Sequence, residues 1–251
     1  SPLKGIDRLL LIAHHEHCAR HVAGTLPRRK LRRQQFDHAP LPRTGILRLV
    51  HQNVVDAAVE AGADAIGFVL YEKSARHVES ARAAELARRL PPFVTPVLLL
   101  VNASPATVHR ALDAVPDALL QFHGDEAPSD CLEFGRPYIR AARMAPGVDL
   151  VNFARSYESA RAILVDAHVE GYGGGGQVFD WSLLPSSLSR PLILSGGLDA
   201  DNVGEGIRRV RPWAVDVSSG VESAKGIKDA ERMRQFCQAV RAADRQCAEQ
   251  P

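Results

Sequence analysis

Residues able to do chemistry follow short apolar runs in this sequence. Asp166 comes directly after Ala162–Val165, and Asp216 lies within the apolar run that begins at Ala214. An aspartate at the end of a buried strand can act as a general acid, because it can pass a proton to a reacting oxygen. A helix cap or an ion-pair partner is the alternative use of such a residue, and the sequence leaves both open.

Two further side chains stand in equivalent positions and could bind a substrate. Arg76 follows the run Ala65–Leu70, and its guanidinium fork suits a carboxylate. His123 follows the run Ala118–Phe122 and could donate a hydrogen bond to a substrate oxygen. An exposed arginine and a hydrogen-bonded loop histidine are the ordinary alternatives.

Small residues follow the last two apolar runs, Pro191–Leu194 and Ala214–Val217, and predict an anion site. The residues expected to hold the anion are Gly196, Gly197, Ser219 and Gly220. Turns built of small residues let backbone N–H groups converge on a phosphate, and such sites follow adjacent strands in α/β barrels. We therefore expect a small-molecule partner that carries a phosphate, while tight turns alone remain the alternative.

These positions require a fold that brings the ends of several strands together. Strands are predicted at Ile46–Val50, Ala65–Leu70, Pro96–Val101, Ala118–Phe122, Tyr138–Ala142, Ala162–Val165, Pro191–Leu194 and Ala214–Val217. Helical patterns of about ten residues separate them. Strands that are apolar throughout indicate a parallel sheet buried on both faces. Eight such units predict an α/β fold, a (β/α)₈ TIM barrel.

The helices between the strands have recognisable ends. Ser80 is expected to cap a helix over Ala81–Leu90, and Ser104, followed by Pro105, a helix over Ala106–Val115. Asp199 or Asp201 is expected to open a helix that ends near Val210, and the last helix is predicted over Asp229–Ala242.

The charge distribution divides the chain near residue 44. The 251 residues have a net charge of +2, but residues 1–43 carry nine Lys and Arg against three Asp and Glu, with five of the ten histidines. We expect residues 1–43 to be a basic, poorly ordered and atypical N-terminal leader, and residues 44–251 to form the barrel. No apolar run reaches the roughly 18–20 residues of a membrane span, and the four scattered cysteines favour a cytoplasmic location.

The leader offers weak signals for two other partners. His14–Cys18 and His21 have the chemistry of metal ligands, and Arg28–Arg33 is a small basic run of the kind that binds nucleic acid. No second ligand pair follows at zinc-finger spacing, so we expect neither a metal nor a nucleic-acid partner. No GxGxxG motif follows the first predicted strand and no P-loop motif occurs in the chain, so the interpretations as a dinucleotide site and as a P-loop site lose their main support.

Six stretches, in order along the chain, resemble the phosphoribosylanthranilate isomerase family of tryptophan biosynthesis. They are Glu60–Phe68, Ser74–Val78, Gln121–Glu126, Gly173–Trp181, Leu194–Leu198 and Val215–Glu222. The resemblance runs from about Val54 to Ala242. It implies a cofactor-free Amadori rearrangement of N-(5-phosphoribosyl)anthranilate to 1-(2-carboxyphenylamino)-1-deoxyribulose 5-phosphate, by an enzyme that is a monomer or a homodimer.

The resemblance also implies a role for each candidate residue. Asp166 would be the general acid that protonates the ring oxygen and opens the furanose. Arg76 would hold the anthranilate carboxylate, and His123 and Asp216 would line the site. The phosphate would be held by Gly196, Gly197, Ser219 and Gly220.

The first strand of the family departs from this sequence. Members begin roughly with Lys-Ile-Cys-Gly-Leu-Thr-Arg, and the cysteine is the general base at C2. Counting back from Gly62 without gaps places Leu47 at the cysteine and Arg48 at the glycine after it. Residues 1–53 could be foreign to the fold through an altered reading frame or a wrong start. The chain could otherwise be a divergent homologue with weak or no isomerase activity, or a shifted strand could bring His51 to the site.

A different function class therefore stays open beside the isomerase. A barrel that lost its base but kept Asp166 and the glycine turns would be a non-catalytic protein that binds phosphate sugars.

Overall fold

Eight strands form a closed barrel in the computed structural model, which describes residues 10–14, 54–167 and 179–249. The strands are β1 Leu10–His14, β2 Ala65–Val69, β3 Thr95–Leu100, β4 Leu119–Phe122, β5 Tyr138–Met144, β6 Ala162–Ala167, β7 Leu192–Leu194 and β8 Ala214–Val217. The seven strands from β2 to β8 are parallel, and each pairs with the next. The predicted α/β fold of the TIM type is confirmed.

β1 closes the barrel but runs in the opposite direction to the other seven strands. It pairs antiparallel with β2, where Leu10 lies opposite Gly67, and antiparallel with β8, where His14 lies opposite Ala214. The edges of β2 and β8 are therefore both hydrogen-bonded, and the sheet exposes no edge between them.

The sequence expectations for the first 53 residues are only partly covered by the structure. The strand predicted at Ile46–Val50, with Leu47, lies outside the described residues, as do His51 and, apart from the backbone of His14, the candidate metal and nucleic-acid segments. Within residues 1–43 only Leu10–His14 are described. A leader over residues 1–43 and a barrel over 44–251 stay a prediction.

Helices follow the strands and cover the outside of the barrel. They are α1 Val54–Ala61, α2 Ser80–Ala87, α3 Pro105–Ala114, α4 Pro128–Leu132, α5 Leu150–Ser156, α6 Val203–Val210 and α7 Ala230–Glu249. A short hairpin, β9 Glu222–Ala224 with β10 Ile227–Lys228, lies between β8 and α7. Among the described segments, none of the helices combines the length and hydrophobicity that crossing a membrane requires.

The predicted cap of α3 is confirmed, whereas that of α2 is wrong. The Thr107 N–H donates to Ser104 Oγ at 3.3 Å, and Pro105 occupies the first turn. In α2 the capping residue is Glu79, whose side chain makes no cap hydrogen bond, and Ser80 is already helical. Burial of Ala83, Ala84 and Leu86 stabilises this helix instead of a side-chain cap.

The start of α6 also differs from the prediction. Asp199 Oδ1 accepts the N–H groups of Asp201 and Asn202, which makes a turn before the helix rather than its cap. Asn202 is the capping residue, and α6 begins at Val203. The last helix, α7, extends to Glu249, well beyond the predicted end at Ala242.

Alternate residues of the parallel strands face two different cores. Ala162 and Leu164 of β6 belong to a small cluster built from strand residues, which fills the inside of the barrel. Ile163 and Val165 belong to the large cluster shared with the helices. Because side chains alternate along a strand, Asp166 faces the inside of the barrel at its carboxyl end. The same alternation applies to Asp216 after Ala214, to Ser195 after Ile193 and to His123 after Leu119.

Candidate active site

A cavity opens where the parallel strands end. Seven of the eight predicted site residues line it, namely Arg76, His123, Asp166, Gly196, Gly197, Asp216 and Ser219. Val69, Leu99, Val101 and Val217 supply an apolar wall. The cavity thus combines a few convergent polar groups with apolar walls, which is typical of a small-molecule site.

The glycine turns after β7 and β8 are packed too closely for side chains. Gly196 has a φ of +83°, and a Cβ there would lie 2.4 Å from the backbone nitrogen of Ala167. A Cβ at Gly220 would lie 1.9 Å from the carbonyl oxygen of Leu198. Gly220 does not line the cavity, but its contact with Leu198 brings the two turns together. Glycine is needed at both positions because only glycine allows this approach.

Asp166 and His123 both line the cavity and contact each other directly. His123 Nε2 lies 3.2 Å from Asp166 Oδ2, and Asp166 Oδ1 accepts the N–H of Ala167 at 2.9 Å. Both side chains remain about one-sixth exposed, at 16% and 17%. Asp166 is therefore fixed by two partners and still open to a ligand, as a proton donor must be.

The loop that carries His123 is held by a buried ion pair. Arg140 of β5 donates to the carbonyl oxygens of Phe122 and Gly124, and its guanidinium lies 4.8 Å from the ring centre of Tyr157. Glu126, 3.5 Å from Arg140, accepts the N–H of Gly124. These contacts hold the two terminal nitrogens of an arginine inside a buried strand and fix the loop beside it.

Asp216 is the most buried carboxyl group of the cavity. Its Oδ2 accepts a hydrogen bond from Ser195 Oγ at 3.0 Å, while its Oδ1 has no hydrogen-bond partner among the described residues. Burial, and then the nearby charge of Asp166, raise the pKa of Asp216 to about 7. Asp216 therefore keeps its proton to a higher pH than an ordinary aspartate does.

Asp216→Asn is expected to stabilise the protein in a pH-dependent way. The pKa of Asp216 is about 7 in the folded chain, against the ordinary value of 3.8. Between about pH 4 and pH 7, therefore, Asp216 is protonated in the folded chain and ionised in the unfolded chain. Parental stability therefore falls as the pH rises through this window. The variant should gain roughly 2 kcal/mol at pH 7.5 and little at pH 4, since the new amide also needs partners.

Thermal unfolding of both chains between pH 4 and pH 7.5 measures this difference. Asp117→Asn, at an exposed turn, is the matched control and should show no such trend. A gain that is equal at both ends of the window would contradict the titration of Asp216.

Arg76 lines the cavity, as the sequence predicts, but some of its guanidinium N–H groups already donate to another side chain of the protein. Its Nε and Nη2 donate to Oε1 and Oε2 of Glu222 at 2.6 and 2.8 Å, and both side chains are buried. Glu222 also accepts a hydrogen bond from Lys228 Nζ at 2.9 Å. A carboxylate in the cavity would therefore meet the remaining N–H groups of an arginine that is already held in place.

The sequence did not predict Glu222, Lys228 and Ser195 as parts of the site. Glu222 stands at the end of a stretch that resembles the isomerase family, which was the available signal. Lys228 gives no signal, because only the hairpin returns it to the site. Ser195 could have been found from its place before the glycine turn, but its bond to Asp216 depends on the pairing of β7 with β8.

The described cysteines cannot act as the base of this site. Cys131, Cys237 and Cys247 are buried, and none of them lines the cavity. Burial raises the pKa of Cys131 to about 12 and that of Cys237 to about 11. Such thiols stay protonated at neutral pH, so they supply no thiolate.

Comparisons with known proteins show which family this chain resembles. A profile of the family described as N-(5'phosphoribosyl)anthranilate (PRA) isomerase matches residues 46–239. The N-(5'-phosphoribosyl)anthranilate isomerase of Leptothrix cholodnii is 69% identical over 202 residues, which cover 80% of this chain and 92% of the relative.

Solved structures give the same result. The crystal structure of phosphoribosyl anthranilate isomerase from Thermotoga maritima has a TM-score of 0.68 and 38% identity, covering 74% of this chain and 92% of that one. A structure of the isomerase in complex with reduced 1-(o-carboxyphenylamino)-1-deoxyribulose 5-phosphate has a TM-score of 0.65 and 35% identity, with 74% and 91% covered. The chain belongs to the N-(5'-phosphoribosyl)anthranilate isomerase family, enzymes of tryptophan biosynthesis.

Proposed function

We propose that the cavity binds N-(5-phosphoribosyl)anthranilate and that Asp166 is the general acid of its isomerisation. The observation that carries this proposal is the position of Asp166, fixed by His123 and Ala167 yet open to the cavity between the arginine and the glycine turns. A carboxylate at one end of the substrate and a phosphate at the other fit this distribution of groups.

The two ends of the substrate are assigned to opposite sides of the cavity. Arg76 receives the anthranilate carboxylate through the N–H groups that Glu222 leaves free. Gly196, Gly197 and Ser219 receive the phosphate, and Gly220 holds the turn in which Ser219 lies. Turns of small residues after the last two strands of a barrel are a common phosphate site. His123 and Asp216 contact the sugar between these ends.

In the proposed reaction, Asp166 donates its proton to the furanose ring oxygen. The bond between C1 and that oxygen breaks, and the nitrogen lone pair forms the C1–N double bond of an open-chain iminium. A base then removes the proton from C2, and the C2–H electron pair forms the enolamine, which becomes the aminoketose after proton transfer to C1. General acid catalysis at the first step accounts for about 10²–10⁴-fold in rate.

The base for C2 is the part of this reaction that the described residues do not supply. The described cysteines are buried away from the cavity, and Leu47, at the family's cysteine position, has no atom that accepts a proton. We therefore expect binding to be retained better than turnover. The chain should be slower than an intact family member by at least about 10²-fold, the contribution of one general base.

Conversion of N-(5-phosphoribosyl)anthranilate by the purified chain, followed by chromatography of the aminoketose, tests the proposal. Slow conversion that saturates with substrate supports it. Tight binding of the reduced product analogue with no conversion above the uncatalysed rate would instead indicate the non-catalytic phosphate-sugar-binding barrel. The missing cysteine favours that second candidate. The cytoplasmic location is likewise a proposal, supported by three described cysteines that are free thiols.

A further inference from the structure

A chain of three buried charged residues lies directly behind the wall of the cavity. Glu222 is bonded on one side to Arg76 and on the other to Lys228, whose Nζ also donates to the carbonyl oxygen of Ser218 at 2.6 Å. Arg76, Ser218 and Ser219 line the cavity, whereas Glu222 and Lys228 do not. The charged chain thus connects two parts of the wall without touching the space between them.

The hairpin β9–β10 is shaped to hold Glu222 in this position. The N–H of Gly226 donates to Glu222 Oε2 at 3.1 Å, and Gly226 has a φ of +84°. A Cβ at Gly226 would lie 2.9 Å from the carbonyl oxygen of Ala75, so the tip of the hairpin packs against the loop that carries Arg76. Arg232 Nη1 donates to the backbone carbonyl of Glu222 at 2.5 Å and holds the residue from the side of α7.

The single carboxylate of Glu222 contacts both cations of this cluster directly. Burial alone would raise the pKa of Glu222, but the hydrogen bonds and charges of Arg76 and Lys228 hold it below its usual value. Burial lowers the pKa of Lys228 to about 8. Groups this buried are costly unless each is paired, and here each has a partner.

We propose that Glu222 is a positioning residue that holds Arg76 towards the carboxylate of the substrate and, through Lys228, holds the Ser218–Gly220 turn towards the phosphate. This role rests on the proposed function, since it takes the assigned ends of the substrate as given. Arg76 and the Ser218–Gly220 turn are then both held by Glu222, which lies outside the cavity. The distance between these two binding groups is therefore set by the fold rather than by the ligand. Preorganised groups of this kind reduce the cost of ordering that binding would otherwise incur.

Glu222→Gln separates this role from a purely electrostatic one, because the two predict effects of opposite sign. Glutamine has the same shape, but it removes a negative charge that lies close to a site for anions. Coulomb's law alone would therefore make the variant bind an anion more tightly. Loss of position would make it bind more weakly, since one amide cannot accept from both N–H groups of Arg76 and also from Lys228.

Calorimetric titration of the full chain with two probes measures the effect. Reduced 1-(o-carboxyphenylamino)-1-deoxyribulose 5-phosphate carries both end groups, and ribose 5-phosphate carries only the phosphate. Glu222→Gln should weaken the first probe about 10- to 100-fold. Lys228→Met should weaken both probes, because Ser218 loses its donor. Glu231→Gln, which breaks an exposed pair with Arg234 on α7, is the matched control and should change neither beyond about twofold.

A folding failure is excluded by a second variant and by thermal unfolding of every chain. Glu222→Asp keeps the charge but withdraws the carboxylate by one methylene, so it should also weaken the first probe. Unchanged or tighter binding in both Glu222 variants would overturn the positioning role while leaving the proposed function intact. A parental chain that binds neither probe would overturn the proposed function, and the positioning role with it.

Discussion

Asp166→Asn is expected to reduce kcat by about 10²–10⁴-fold, the loss that follows removal of a general acid. The amide keeps the shape of the carboxyl group and can still accept the N–H of Ala167, so the cavity should persist. It has no proton that it can transfer to the ring oxygen of the substrate. The affinity for ribose 5-phosphate, which depends on the glycine turns, should stay within about threefold.

Steady-state turnover and calorimetric titration of the same preparation separate these two effects. Asp117→Asn, the exposed control, should retain the parental kcat. An Asp166→Asn chain that turns over at nearly the parental rate would remove Asp166 from the mechanism. Loss of phosphate binding together with turnover would point to a collapsed cavity rather than to a missing acid.

Replacing residues 44–51 by a family-like strand with cysteine at position 47 is expected to raise kcat by about 10²–10⁴-fold, since it supplies the absent base. Leu47→Cys alone should restore less, because Arg48 stands where family members have a glycine that lets the substrate approach. The same strand with serine at position 47 is the matched control, because it has the new backbone sequence without a thiolate.

The order of kcat values among these chains shows whether the parent lacks a base at position 47. The cysteine strand should be fastest, followed by Leu47→Cys, the serine strand and the parent, and Asp166→Asn in the cysteine strand should remove the gain. If the unmodified chain already turns over at an ordinary enzymatic rate, the argument from the missing base is wrong. His51 then becomes the first residue to replace.

The parallel strands were predictable because their residues are apolar on both faces. Ala162–Val165 and Ala214–Val217, for example, lie inside β6 and match β8. Asp166 and Asp216 were predictable for the same reason, since alternation from Ala162 and Ala214 turns both side chains to the inside of the barrel.

The contacts that complete the site depend on tertiary structure. Glu222 reaches Arg76 across 146 residues, and the hairpin at Gly226 that makes this possible has no strong local pattern. The strand Leu10–His14 was not predicted either. Four apolar residues followed by a histidine are compatible with several structures, and the place of this strand is set by its pairing with the edges of β2 and β8.

The direction of β1 has a consequence for any strand introduced at residues 44–51. The gap between β2 and β8 accepts one strand at a time, and Leu10–His14 enters it in the reverse sense. A chain that carries two competing strands is divided between two barrels, only one of which presents a base to the substrate. The measured kcat is then the intrinsic rate multiplied by the occupancy of the productive barrel. Weakening the pairing of Leu10–His14 with β2 and β8 would increase the occupancy of the productive barrel without changing the chemistry.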